Sequence, residues 1–563
     1  MAMVTAASDA FIREIVRNKL LALTNEMGAV LSRTSMSPIV YEVLDFACGI
    51  CDAEGRVVAQ DNGLCLFTGT FRPQVESIIA KWPLETMQPG DIYMTNSAYA
   101  GGTHNADVAL VQPIFADGSP IAFGISVTHW TEIGGKVLGS LAPDSTDVFQ
   151  EGLQFPQLLL YRDGVANQAI IDIIRANVRL PLMSIGDLNA GVAAARIADT
   201  RLSEVIARYG VDVVLATFET ILNHGEALAR KGLGAIPEGV YEAEDVIDGD
   251  GVSDAPIPVR LKLTVTADAF VADFTGSSPQ TAGPVNCARG ALMSGCKTIF
   301  KAIVAPNEPS NEGLFRPLEV ICPDGTIFTA TRPAPTGWYF ESSSFATELI
   351  WKALAPVLPG QLSAGSYVSL CAYYIGGRDE TGNYWVLATP QDGGWGACAD
   401  QDGESSLIAT TDGDTYNYPA EVVEASFPLT MLRNSFNTEA GGGAGEHRGG
   451  FGTIREYRIE APGGGTLLAS MGRNVHVPWG VHGGESGTEN YFEILKADGE
   501  TVRGGRVTDY PLQPGDVVRI VTGNGGGWGD PKARGRDRVA QDVQDGLIAA
   551  ADARSTYGIE VVS

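Results

Sequence analysis

Asn96-Ser97-Ala98-Tyr99-Ala100-Gly101-Gly102-Thr103-His104-Asn105-Ala106-Asp107 lies between two runs that read as strands. Upstream, the turn Pro89-Gly90-Asp91 leads into a short apolar strand, Ile92 to Thr95. Downstream, Val108 to Phe115 and Pro120 to Val127 flank the turn residues Asp117-Gly118, and Thr128-His129-Trp130-Thr131-Glu132-Ile133-Gly134-Gly135 follows. His104 and Asp107 therefore stand just before one strand, and His129 just after the next. In an antiparallel pair those two ends are neighbours in space, and loops on strand ends are the usual seat of chemistry. Only six histidines occur in the chain, and two are here, each near a carboxylate and near glycines.

Imidazole nitrogen together with carboxylate oxygen suits Zn, Mn, Fe or Co. His104-x-x-Asp107 is a short tether able to chelate one ion, and His129 can add a third ligand from the neighbouring strand end. An acidic residue from elsewhere would make a fourth and leave a position open for water or substrate. The spacing leaves a second reading open, in which Asp107 caps a turn beside a packed histidine.

Working outward, Phe11, Ile12, Ile15, Val16, Leu20, Leu23, Met27, Val30 and Leu31 recur at helical spacing, so residues 8 to 32 read as one helix that Ser8 or Asp9 can cap. Phe46 to Cys51 and Arg56 to Gln60 flank Asp52-Ala53-Glu54-Gly55 as a hairpin, with Asp45 at its entrance. Residues 167 to 233 are mostly helical, and from 238 the pattern turns to strand-like alternation, as in Ile257 to Val265. Ala288 to Val304 and Ser342 to Ala355 read as helices. Beyond about 430 come strands and glycine loops, closed by a helix from about 536 to 554. The expectation is an α+β, multidomain chain of mixed sheets with helices. It divides into a metal-site region 1–235, a central α/β region 236–430, and a β-rich C-terminal region 431–563.

With 39 Lys and Arg against 67 Asp and Glu the formal charge is −28, which disfavours nucleic acid and anionic membrane as partners. No signal peptide or spanning segment is legible, so the cytoplasm is the expected location. Eight cysteines in 563 residues do not make a disulfide scaffold, and Cys48-x-x-Cys51 reads as small buried thiols on a strand. Gly290 to Thr298 imitates a phosphate loop but carries Cys296 between the second glycine and the lysine. The glycine clusters at 441–445 and 523–529 read as tight turns, and His224, His447, His476 and His482 as structural.

Taken together, Arg33-Thr34-Ser35-Met36-Ser37-Pro38, Asp45-Phe46-Ala47-Cys48, Tyr99-Ala100-Gly101-Gly102-Thr103-His104-x-x-Asp107, Glu132-Ile133-Gly134-Gly135 and Phe149-Gln150-Glu151-Gly152-Leu153 resemble the hydantoinase B family. Asp273 to Gln280, Gly443 to Gly450 and Gly525 to Pro531 extend the match along nearly the whole chain. The family takes in the B-type subunits of ATP-dependent hydantoinases and caprolactamase, the C-terminal half of 5-oxoprolinase, and subunits of acetone and acetophenone carboxylases. The resemblance implies a hydantoinase A-type partner that carries ATP and Mg, in a heterotetramer or larger assembly. It implies a divalent metal (Zn or Mn, or Fe) on residues that map onto Asp45, His104, Asp107 and His129. It implies hydrolysis of a hydantoin, 5-oxoproline or lactam: the partner phosphorylates the carbonyl and metal-activated water attacks the activated carbon. A ketone carboxylase subunit and a silent scaffold for the partner are the alternatives. Glu132 is close enough to His129 to be an outer partner or a general base. Many relatives place two adjacent histidines and an aspartate before Ile-Gly-Gly, where this chain has His129, Trp130 and Glu132.

Overall fold

A computed structural model describes residues 2–413 and 415–561, without the side chains of residues 2–9. Its first sheet has seven strands: β1 (Phe46–Asp52), β2 (Val57–Gln60), β3 (Ile92–Thr95), β4 (Asp107–Ala116), β5 (Ser119–His129), β6 (Leu158–Arg162) and β7 (Val165–Ala166), in the order β2-β1-β5-β4-β3-β6-β7. The β1–β2, β4–β5 and β3 segments fall where apolar alternation and turn residues place them.

Alternation along β5 assigns its two faces. Phe123, Ile125 and Val127 point into one core, which also takes the Phe71–Lys81 helix. The small residues on the other face let the alanine-rich Pro181–Tyr209 helix lie close. A Cβ on Gly124 would sit 2.4 Å from that of Ala198, and Ser126 donates to the Gly191 carbonyl. The first helix runs Ala2–Thr34 on that same side. It starts upstream of the expected caps, Ser8 and Asp9, whose side chains lie outside the described ones.

β8 (Gly239–Ile247), β9 (Ile257–Val265), β10 (Phe270–Asp273) and β11 (Leu318–Ile321) form the second sheet. Against it packs the Tyr339–Leu354 helix, in which every residue but Lys352 is buried. Burial on all sides removes the one-sided apolar stripe that marks a surface helix. Gly295 of the Arg289–Val304 helix approaches it so closely that a Cβ there would be 2.7 Å from the Ser343 carbonyl. The phosphate-loop lookalike is thus the interior of that helix, and its Lys297 pairs with Glu312 at 3.1 Å.

The third sheet joins β12 (Tyr373–Arg378) and β13 (Tyr384–Thr389) to β16 (Gly465–Ser470) and β19 (Arg506–Leu512). The fourth has β14 (Leu429–Phe436), β15 (Thr453–Ile459), β17 (Tyr491–Leu495), β18 (Thr501–Gly504) and β20 (Val517–Val521). The strands after residue 430 therefore complete a sheet begun before it. The C-terminal helix expected over 536–554 is two short helices, Arg536–Gln544 and Ala550–Ser555, parted at Gly546, whose φ is +71°. The glycine clusters are mostly not tight turns. Positive φ is confined to their ends, at Gly441 and Gly529. Elsewhere backbone lies on backbone, and a Cβ on Gly525 would come within 2.0 Å of the Trp395 carbonyl. Cys48 and Cys51 are buried thiols on β1. No helix among the described residues is long and apolar enough to cross a membrane.

Candidate metal centre

Three strand ends converge at one end of the middle of the first sheet. Asp107 opens β4 and pairs in register with His129, the last residue of β5. Thr128 pairs with Phe46, and the His129 N–H donates to the Asp45 carbonyl at 3.1 Å. The antiparallel order β1-β5-β4 therefore sets Asp45, His129 and Asp107 side by side. The loop before β4 folds His104 onto them.

His104 Nε2 lies 2.8 Å from Asp107 Oδ1, His129 Nδ1 lies 2.9 Å from that oxygen, and the two nitrogens are 3.2 Å apart. All three residues are buried. The other ring nitrogen of His104, Nδ1, is 2.8 Å from the Gly337 carbonyl. A carbonyl only accepts, so Nδ1 carries the proton and Nε2 of the neutral ring presents its lone pair. A proton on His129 can satisfy two edges of the triangle, but the third leaves that lone pair facing a carboxylate oxygen. A cation between them relieves this. An ion bonded at roughly 2.0–2.2 Å with ligand angles near 90–110° sets neighbouring ligand atoms about 2.8–3.6 Å apart, which takes in the observed spacing.

The surrounding charge points the same way. Asp45 Oδ1 is buried without a hydrogen-bond partner. Asp45, Asp107 and Asp412 line one small cavity of about 40 Å³ with His104 and His129, and no Lys or Arg lines it. Burial drives the Asp45 carboxyl well above its ordinary range, and His129 only partly offsets this. Burial likewise lifts Asp412 to about 6, against the pull of Thr415 and His129. Burial would also raise Asp107, but His104 and His129, when protonated, outweigh it and hold the carboxyl far below the usual range, a role that a cation takes over when the rings are neutral. Buried carboxylates with no basic partner are costly unless a proton or a metal compensates them.

The supporting groups come from far along the chain. Tyr339, in the first turn of its buried helix, donates to Asp107 Oδ2 at 3.1 Å. Thr103 donates to the same oxygen at 2.6 Å. The Tyr374 hydroxyl on β12 lies 3.4 Å from His129 Nε2. Sequence reasoning misses Tyr339, Tyr374 and Asp412. No local motif marks them, and they reach the strand ends only through folding.

Glu132 is placed differently from the neighbouring ligands. One of its carboxylate oxygens accepts from the Gly134 N–H at 2.8 Å and Arg179 at 2.8 Å, the other from the Gly139 N–H at 2.9 Å. It does not line the cavity. A general base needs a free oxygen facing the reacting group; here both oxygens brace the 132–139 loop. Trp130, next to His129, also points away, and its ring packs edge-on against Phe155 at 6.1 Å. Its backbone N–H bonds the Ala106 carbonyl at 2.8 Å and so helps close the β4 and β5 ends.

Residues 9–531 match the family model of hydantoinase B/oxoprolinase. This chain belongs to that family. Among hydantoinase B/oxoprolinase relatives it is 32% identical to the B component of a putative D-/L-hydantoinase of Pseudomonas sp. (strain NS671), over 98% of this chain and 95% of that one. It is 28% identical to the beta subunit of the caprolactamase of Pseudomonas jessenii, over 98% of this chain and 96% of the other. The crystal structure of the ATP-dependent caprolactamase from Pseudomonas jessenii superposes with a TM-score of 0.90 at 25% identity, covering 98% of this chain and 97% of that chain. Nucleotide-free acetone carboxylase gives the same TM-score of 0.90 at 20% identity, over 98% of this chain and 79% of that chain, a likeness of fold alone.

Proposed function

We propose that this chain is the metal-bearing subunit of an ATP-dependent cyclic amide hydrolase, acting on a ring whose carbonyl a hydantoinase A-type partner has phosphorylated. The observation that carries the reading is the convergence of His104 Nε2, His129 Nδ1 and Asp107 Oδ1, no two of them more than 3.2 Å apart, in a cavity whose carboxyls have no Lys or Arg beside them. The names of the relatives, the B component of a hydantoinase and the beta subunit of a caprolactamase, supply the substrate class and the need for a second subunit.

Asp45, His104, Asp107 and His129 would hold a divalent ion, of which Zn, Mn and Fe suit the donor set. Bound there, such an ion supplies Lewis-acid charge and brings the pKa of water toward neutrality. The chain's own residues do the rest. Gly337 keeps the His104 proton on Nδ1. Tyr339 and Thr103 hold Asp107 Oδ2, which leaves Oδ1 to the centre. Leu64, Leu66, Phe67 and Phe340 wall the cavity and keep bulk water out. The Tyr374 hydroxyl is the polar group that faces His129 from the third sheet. It is the candidate to hold a proton near a departing amide nitrogen, which must be protonated as an unstrained ring opens.

The test is co-purification with an A-type partner, metal analysis, and an ATP-coupled screen of hydantoins, 5-oxoproline and lactams, each with and without bicarbonate. Stoichiometric divalent metal, and ATP-dependent ring opening without bicarbonate, are expected. Turnover only of ketones with bicarbonate would move the assignment to a carboxylase. Full activity of a His104→Ala variant would remove the metal centre from the chemistry altogether.

A further inference from the structure

Glu151 is 1% exposed and belongs to no ion pair among the described residues. Its two carboxylate oxygens are shared between consecutive backbone amides: the Thr336 N–H donates to one at 3.0 Å and the Gly337 N–H to the other at 2.7 Å. Gly337 then presents its carbonyl to His104 Nδ1 at 2.8 Å. Burial pushes the Glu151 carboxyl up to about 8, although the two amides pull it down. A carboxyl held at that cost, with both oxygens on one dipeptide, acts on that dipeptide.

The clamp spans 186 residues of sequence between Glu151 and Gly337, and its fit is tight. A Cβ on Gly337 would lie 2.9 Å from Glu151 Oε1. The rest of the 332–338 loop docks through other groups: Arg332 lies over the Phe149 ring at 5.1 Å and donates to Gln154 at 2.7 Å, and the Pro333 and Pro335 carbonyls accept from the Val148 N–H at 3.0 Å and from Asn286 at 3.1 Å. Those contacts hold the outer end of the loop. The Glu151 clamp holds the amides on the near side of the Gly337 carbonyl, and the Trp338 N–H, donating to the Pro284 carbonyl at 2.9 Å, holds its far side.

We propose that Glu151 is a positioning residue of the metal centre: through the Thr336–Gly337 backbone it holds the carbonyl that keeps the His104 proton on Nδ1 and aims Nε2 at the ion. The inference rests on the metal-centre reading above. Outer partners of metal-bound histidines change affinity roughly 10–100-fold when removed, and that is the expected size here.

The experiment titrates Zn²⁺ into the full-length chain after chelation. Wild type is compared with Glu151→Gln, Gly337→Ala and Arg332→Ala, with thermal unfolding followed in parallel. Gln turns an amide N–H₂ toward a backbone N–H and breaks one arm. Gly337→Ala attacks the same clamp from the other side, so it carries the test if Glu151→Gln does not fold. A Kd weaker by roughly 10–100-fold in both clamp variants, with wild-type affinity in Arg332→Ala, is expected. Wild-type affinity in a folded Glu151→Gln or Gly337→Ala protein overturns the proposal. If the wild type binds no ion, the metal-centre reading fails, and ¹⁵N-histidine spectra of the six-histidine chain judge the clamp by itself. His104 is expected as the Nδ1–H tautomer in the wild type and as a mixture in Glu151→Gln; an unchanged tautomer overturns the clamp.

Discussion

The strand-end centre and the C-terminal glycine layer look alike in sequence, each a glycine-rich loop with a histidine and acidic residues, yet they solve opposite problems. Around His447 the charges are balanced. Arg534 pairs with Asp402 at 2.7 Å and with Asp542 at 2.7 Å, and Arg448 pairs with Asp542 at 3.3 Å. The His447 backbone exchanges hydrogen bonds with Trp528, and the ring nitrogen Nδ1 meets Arg538 at 3.2 Å. Around His129 no guanidinium or ammonium lines the cavity, and three aspartates face two imidazoles. Glycine and histidine are therefore poor signs of a ligand site by themselves. An uncompensated set of buried donors is a better one.

The largest expected effects separate the two regions. Asp107→Asn keeps the shape but removes the charge shared by both histidines, so ion binding and partner-coupled turnover should both fall by more than about 100-fold, above the range of outer-partner losses. Gly525→Ala should instead cost stability. Its Cβ would meet the Trp395 backbone carbonyl at 2.0 Å, an overpacking with no flexible side chain to yield. A loss of about 3 kcal/mol in stability is expected, with metal stoichiometry per folded molecule unchanged. Retained stability in Gly525→Ala, or retained metal affinity in Asp107→Asn, would break the contrast.

A pH comparison sharpens it. Asp412 is raised by burial to about 6. A raised carboxyl binds its proton more readily in the folded chain. Its stabilising contribution is present below the unfolded pKa near 4 and is lost as pH climbs through about 6. Asp402 behaves oppositely: burial would raise it, but Arg534 prevails and its pKa is lowered. Its contribution is present above the unfolded value and is lost as pH falls through the lower folded value. In chelator, Asp412→Asn should therefore flatten the decline in unfolding temperature between about pH 4 and 6, and Asp402→Asn the decline on acidification below about pH 4. Parallel profiles for the two variants would mean that both sites are compensated alike.

What the sequence reveals of this centre follows the same physics. β4 and β5 are legible because a period of two with a turn between is local information, and their antiparallel pairing brings His129 to Asp107. Asp45 is only a strand entrance in the sequence, and family resemblance alone marks it. Tyr339, Tyr374 and Gly337 stand 232, 245 and 233 residues from the groups they touch, and no periodicity encodes such distances. Tyr339 is further hidden because its helix is buried all round; the helical pattern in the sequence starts at Ser342 and misses the turn that matters. Glu132 misleads because closeness in sequence to His129 suggests closeness in space, whereas the loop that follows β5, braced by Arg179, carries it away.

Trp130 gives the smallest effect and the finest separation. The family resemblance implies a second histidine at this position, beside a proposed ligand, so sequence alone makes it a candidate to alter the centre. Successive side chains at a strand end point to opposite faces. With His129 turned to the cavity, Trp130 is turned into the core, 1% exposed and against Phe155. Trp130→Phe should therefore trim a packed side chain at a cost of about 1–2 kcal/mol and leave both the stoichiometry and the affinity for Zn²⁺ as in the wild type. Trp130→His should be less stable than Trp130→Phe, because it buries a polar ring among apolar neighbours, and it should add no ligand. A gain in metal affinity in Trp130→His would show that this position can turn toward the ion. The boundary between ligands and packing would then not fall at the 129–130 peptide.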